Sequence, residues 1–253
     1  MAIIDTSSLK KKFHYNQGDL YLTEANLLDV KIFRQVSFKS FSECVSKRKL
    51  YVSRQYQFSD YHEGVSFGSL IYRISHPHVV GLPLSKKEMI EWQKRDNHFL
   101  PYIGLFPISC WSLNGEDRYM RWKTYDHKGI EVFFGTTIKQ LVNALSINEY
   151  EVFISKVNYG RRDCFQPEFA VLFCKETGYK DEEELRICFI EKKTPENVTS
   201  GVFVPLNNLD FINSITVASL YNRSDAVGAV NLLNEIDLLK GKVHLSSIIE
   251  NYI

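Results

Sequence analysis

Ile130-Glu131-Val132-Phe133-Phe134-Gly135-Thr136-Thr137-Ile138-Lys139-Gln140-Leu141-Val142 runs a strand directly into a helix. The apolar, aromatic run 130–134 has the make-up of a short buried strand. Thr137 and Gln140 then form a capping box: the hydroxyl takes an orphan amide of the first turn while the glutamine side chain reaches back. Ile138, Leu141, Val142 and Leu145 follow on one helical face. The same alternation of short strands and short helices extends in both directions. Ser40-Phe41-Ser42-Glu43 repeats the box and predicts a helix through Arg48. Ser85-Lys86-Lys87-Glu88 predicts another through Lys94, and Ser224 leads a third with Val227, Val230, Leu233 and Ile236 in step and Gly241 to stop it. Strands are predicted at 50–53, 106–112, 130–134, 152–159, 169–173, 185–191 and 202–204. Such irregular alternation predicts an α+β fold rather than a doubly wound parallel sheet.

At about 150 residues per domain, 253 residues make one to two domains. No internal repeat, low-complexity tract or Pro/Gly/Ser linker divides them. The expectation is a single α+β domain over 1–253, with 1–30 as a loosely attached N-terminal segment. A chain 44% hydrophobic and 24% charged is a folded one. Its 31 Lys+Arg against 30 Asp+Glu exclude a non-specific cationic coat for nucleic acid, though not a local basic patch. Five scattered cysteines with no CxxC pair point to a reduced, cytoplasmic protein and away from a zinc module. The opening Met1-Ala2-Ile3-Ile4-Asp5 lacks the basic and apolar regions of a secretory signal, and no run approaches the ~18 apolar residues of a membrane span.

Three stretches carry candidate chemistry. Tyr179-Lys180-Asp181-Glu182-Glu183-Glu184-Leu185-Arg186 places acidic residues immediately before a strand. On an extended segment Glu182 and Glu184 point the same way. Paired carboxylates suit a reaction with an oxocarbenium-like transition state, one stabilising the positive charge and the other orienting the attacking group. A solvated acidic turn is the plainer alternative. In the second stretch, Cys110-Trp111-Ser112 ends a strand, and Tyr119, Trp122 and Tyr125 then share one face of a short helix. Those rings are either core or the wall of a pocket for a planar ligand. Cys110 itself reads as buried and inert. In the third, Arg34 beside Phe33 is either a surface charge or, in a cleft, a bidentate grip on a phosphate. His76-Pro77-His78 has no partner at metal-ligand spacing, so no metal is expected. The chain has no GxxxxGK[ST], GxGxxG or GxSxG.

The order of these pieces resembles a family of bacterial proteins known only as a domain of unknown function. It carries LYFS, FxDPxEG, CFS, MWxxY, HKG and ExExR blocks. The corresponding residues are Leu50-Tyr51-Val52-Ser53, Phe58-Ser59-Asp60-Tyr61-His62-Glu63-Gly64, Cys110-Trp111-Ser112, Met120-Arg121-Trp122-Lys123-Thr124-Tyr125, His127-Lys128-Gly129 and Glu182-Glu183-Glu184-Leu185-Arg186. The resemblance spans about residues 31–240. Tyr61 replaces the family's proline, and one extra residue separates Met120 from Trp122. More distantly the chain is similar to mono-ADP-ribosyltransferase toxins: Phe33-Arg34, Trp111-Ser112-Leu113 and Tyr179-x-x-Glu182-x-Glu184 follow their aromatic-Arg, serine-strand and aromatic-x-x-Glu-x-Glu order. A single Ser-Leu stands where those toxins carry Ser-Thr-Ser.

The resemblance implies a split β-sheet holding NAD as substrate. Arg34 would contact its phosphate or ribose, and Ser112 would brace the nicotinamide ribose. Glu184 would bond the ribose 2′-OH and face the oxocarbenium, while Glu182 positions the acceptor nucleophile. Trp122, Tyr125, Tyr179, Tyr51 and Ser53 would complete the cofactor contacts. By family analogy such proteins are toxins or phage-defence effectors that modify protein, RNA or DNA and are restrained by an antitoxin or chaperone partner. Two other classes stand beside this one: a non-catalytic ligand- or partner-binding module, and a nuclease with Asp60, Glu63, Glu182 and Glu184 as magnesium ligands.

Overall fold

The computed structural model of the chain describes residues 6–54, 106–124, 129–160, 172–175, 177–193 and 201–252. The predicted helix at 85–94, the 58–64 block with Asp60 and Glu63, His76, His78, Tyr125 and Cys164 lie outside them. The first described elements are α1 (Ser7–Lys10), β1 (Tyr15–Gln17), β2 (Leu20–Leu22), β3 (Lys31–Ser37), α2 (Phe38–Lys47), β4 (Lys49–Arg54) and β5 (Pro107–Ser112). Next come α3 (Tyr119–Thr124), β6 (Glu131–Thr137), α4 (Ile138–Ala144), β7 (Tyr150–Lys156), β8 (Asn158–Tyr159), β9 (Cys174–Lys175) and β10 (Glu184–Glu191). The last are β11 (Gly201–Pro205), β12 (Ser214–Ala218), α5 (Arg223–Asn234), β13 (Val243–Leu245) and α6 (Ser247–Tyr252), and a 3-10 turn at Thr177–Glu182 leads into β10. Parallel and antiparallel strand pairs with short helices between them make this an α+β chain, as the sequence predicts.

Two compact units can be distinguished: Met1–Leu27, Val52–Cys110 and Ile147–Val202 form the first, and Leu28–Tyr51, Trp111–Ser146 and Phe203–Ile253 the second. In the first unit the strand order is β1-β2-β7-β10-β5. β7 and β10 are antiparallel along their length, from Leu185↔Lys156 to Glu191↔Tyr150, and β2 runs parallel to β7. Every residue of β10 except Glu191 is buried, so both faces of this strand are covered. That is why 185–190 reads as a nearly unbroken apolar run interrupted only by Arg186. Phe13 lies edge-on to Phe153 and Phe173, with ring centroids 5.0 and 5.7 Å away, and draws α1 and its following turn into this core.

In the second unit β3, β6, β12 and β13 follow in order. β3 and β6 pair antiparallel from Lys31↔Thr137 to Ser37↔Glu131, and β12 lies antiparallel to β6 and parallel to β13. The end of β5 joins β3 at Phe33↔Ser112.

The Thr137–Gln140 capping box forms as predicted, with both reciprocal bonds present. The first helix starts earlier than Ser40. Ser37 ends β3 in extended backbone, and its Oγ accepts from the Ser40 amide at 3.2 Å, so Ser37 is the cap and Ser40 lies inside the helix. α5 is capped by Asn222, whose Oδ1 accepts from the Ser224 amide at 3.0 Å, and ends at Asn234, short of Ile236. The predicted strand at 152–159 breaks at Val157 into β7 and β8. Leu172 and Phe173 form a helical turn, and strand pairing begins only at Cys174.

Candidate functional site

The acidic stretch 181–184 is not extended. Glu182 ends the 3-10 turn, Glu183 takes a left-handed backbone with φ 44°, and β10 begins at Glu184. The alternation expected for Glu182 and Glu184 therefore does not apply, yet their carboxylates converge by another route. Lys175 Nζ lies 2.7 Å from Glu182 Oε2 and 3.5 Å from Glu184 Oε2. Lys175 is brought there by β9, whose parallel pairing with β8 sets Tyr159 opposite it. The Tyr159 hydroxyl accepts from the Glu184 amide at 2.8 Å. Arg186, two residues along β10 and so on the same face, donates through Nε to Glu184 Oε1 at 2.9 Å. Its Nη1 donates to the Leu172 carbonyl, also at 2.9 Å. Tyr179 lies under the ammonium, with Lys175 Nζ 4.5 Å from its ring centroid.

Burial opposes the charge on Glu184, but the Arg186 guanidinium and the Lys175 ammonium more than offset it, with a hydrogen bond from Cys110 adding to them. The carboxyl is held below its ordinary value and stays ionised. Cys110 is thus half-buried and hydrogen-bonded rather than inert packing. Burial pushes the Tyr159 phenol up to about 12, so it stays a neutral hydrogen-bonding group. Of the three glutamates, Glu184 is buried, Glu182 half-buried at the rim, and Glu183 exposed. A buried, fixed, ionised carboxylate with a second at its rim can face a developing cation or accept from a hydroxyl.

The other sequence-predicted residues are placed as follows. Ser53, in the first unit, pairs through its backbone with Ile108. In the second unit, Arg34 Nη2 donates to the Tyr51 carbonyl at 3.2 Å and its guanidinium carbon lies 5.9 Å from the Trp111 ring centroid. Ser112 Oγ accepts from the Asn114 amide at 3.1 Å, closing a local turn. Trp122 is buried beside Phe133, Ala218 and Ile249, and its Nε1 donates to Asp117 at 2.6 Å. Tyr51 is exposed beside Phe203.

Lys175, Arg186 and Tyr159 were not singled out from the sequence. Arg186 carried a signal: a cation at i+2 from a glutamate, inside an otherwise apolar strand, needs a buried counter-charge. Lys175 and Tyr159 belong to β9 and β8, whose pairing no local spacing encodes. Among the described residues, no group of three or more His, Cys, Asp or Glu side chains is placed to hold a metal ion. No described helix is long and apolar enough to cross a membrane.

Neither a protein family nor a curated protein matches the sequence, so the block resemblance has no family match behind it. Among solved structures, the chain is similar to Thermus sp. 2.9 DarT in complex with ADP-ribosylated ssDNA. The TM-score is 0.37 at 7% identity, over 87% of this chain and 96% of that one. A likeness of that size carries no functional inference, and the residues must carry it instead.

Proposed function

We propose that the chain is an NAD-consuming mono-ADP-ribosyltransferase that modifies a macromolecule, nucleic acid or protein. The observation that carries this reading is the Glu184 carboxylate, buried, ionised and immobilised by Arg186, with Glu182 at its rim. In the reaction the bond between ribose C1′ and the nicotinamide nitrogen breaks, and its electron pair leaves with nicotinamide. Glu184 faces the resulting cation. Glu182 orients the acceptor, whose nucleophile bonds to C1′ and gives up a proton. Tyr179 lies within reach of the same pair through Lys175. Roles for Arg34, Ser112, Trp122, Tyr125, Tyr51 and Ser53 toward the dinucleotide rest on the toxin resemblance. So do a restraining antitoxin or chaperone, a part in phage defence and a cytoplasmic location.

One observation favours a second reading. Lys175 and Arg186 already balance the two carboxylates, as they would in a binding module that uses the cluster only to hold its shape. The full chain incubated with nicotinamide-labelled and adenine-labelled NAD in cell extract separates the two. Transfer predicts nicotinamide release and adenine label on a macromolecule, both lost by about 100-fold or more in Glu184→Gln while the thermal melt stays cooperative. Neither release nor transfer by the wild-type chain would leave the binding module.

A further inference from the structure

An exposed face of the second unit, formed where β4 and β11 meet, joins aromatic rings to a run of cations. On β4, Lys49 and Tyr51 point to solvent while Leu50 between them is buried; on β11, Phe203 and Pro205 are exposed around buried Val204. The strands are tied at their ends by the Leu206 amide donating to the Arg48 carbonyl at 2.8 Å. This brings the Tyr51 and Phe203 rings together at 5.2 Å between centroids, although the residues remain 37% and 51% exposed. Lys47, Arg48 and Lys49 are all exposed at the same end of β4. Among the described residues, the acid that meets this run is Glu43, 3.7 Å from Lys47 on its own helix. Arg34 donates to the Tyr51 carbonyl at 3.2 Å.

We propose that this face binds single-stranded nucleic acid. Unpaired bases stack on Tyr51 and Phe203, and Lys47, Arg48 and Lys49 receive the flanking phosphates. Charge complementarity selects this occupant: adjacent cations call for a polyanion, and flat rings rather than branched aliphatic side chains call for the π-face that every base offers. The near-neutral total of the chain is no obstacle, because a few local contacts suffice for a short strand. The proposal is independent of the transfer reaction, since binding here needs no NAD and no carboxylate. It assigns Tyr51 to the strand rather than to the dinucleotide.

The test is fluorescence anisotropy of the full chain with labelled DNA and RNA oligonucleotides of about 12 nucleotides, long enough to span such a site, at low salt and without NAD. Unpaired strands should bind more tightly than hairpin duplexes of the same composition. Tyr51→Ala and Phe203→Ala should each weaken binding about tenfold, as expected for one lost stacking contact, while Tyr51→Phe retains it. Lys47→Gln with Lys49→Gln should flatten the salt dependence. Phe203→Thr suits an exposed strand position and covers the case in which the alanine variant loosens the strand. The proposal is overturned if no oligonucleotide binds, if duplex binds as tightly as single strand, or if the ring variants bind like wild type. Competition by excess NAD would return Tyr51 to the dinucleotide, and a face that instead takes up anionic vesicles or a second copy of the chain would equally sink it.

Discussion

Glu184 and Arg186 lie two residues apart on β10 and share one buried ion pair, Nε to Oε1 at 2.9 Å, with side chains 7% and 0% exposed. Strand alternation puts them on the same face, so no long loop need be ordered to form the contact. Removing one partner leaves the other charge uncompensated in the interior, which costs about 3–5 kcal/mol. Arg186→Met should therefore lower the unfolding free energy by that order, measured by urea titration. Glu184→Gln should cost less, because Glu182 still pairs with Lys175 and the Leu172 carbonyl still accepts from Arg186.

The same pair makes stability depend on acid. Glu184 is held below the ordinary carboxyl value of 4.5 in the folded chain, so the unfolded chain binds the proton more readily. Its contribution is complete above 4.5 and declines as the pH falls from there through the lower folded value. The urea midpoint measured from pH 6 down to 3 should drop in wild type and drop less steeply in Glu184→Gln. Parallel curves would mean that Glu184 is not the linked group.

Arg54 and Glu191 make another ion pair of the first unit, a buried guanidinium against a half-buried carboxylate, and this one is a fork: Nη1 to Oε2 at 2.9 Å and Nη2 to Oε1 at 3.0 Å. A lysine carries the charge but not the planar pair of donors. Arg54→Lys is expected to lose about 1–3 kcal/mol, the range for a charged hydrogen bond broken in place. A double-mutant cycle with Glu191→Gln should give a coupling above about 0.5 kcal/mol. Simple additivity would make the fork energetically silent.

What the sequence made legible follows from how local each signal is. β6 and its capped helix were readable because the apolar run and both halves of the box lie within one stretch, 130–142. The Ser40–Glu43 spacing satisfied the same rule but misplaced the cap, since the length of β3 decides where the helix starts and its mixed side chains hide that length. β1, β2 and β13 span three residues each, too few for any period to show. In the candidate site the glutamates were legible as a local cluster. Their cations were only half so: Arg186 sits within the same motif, whereas Lys175 arrives through the β8–β9 pairing. The predicted same-face alternation of Glu182 and Glu184 failed because the left-handed turn at Glu183 intervenes, a backbone state that glutamate rarely adopts.

In the second unit Phe33 fixes the choice of glycine at 135. Its ring stacks on Phe133 at 5.5 Å and 17° and crosses the neighbouring backbone. A Cβ at Gly135 would stand 2.7 Å from Phe33 Cε1 and 2.7 Å from Ser214 Oγ. Glycine in a strand interior is ordinarily a weakness that alanine relieves. Here the stacked ring cannot swing clear without leaving Phe133, so the sign reverses. Gly135→Ala should destabilise by about 1–3 kcal/mol, the usual cost of overpacking. Combining it with Phe33→Leu should remove the part of that increment that comes from the ring and leave the part that comes from Ser214 Oγ. Thermal or urea unfolding of the two single variants and the double gives the coupling directly. A Gly135→Ala variant as stable as wild type would mean that the ring yields, and that the glycine is not required by packing against Phe33.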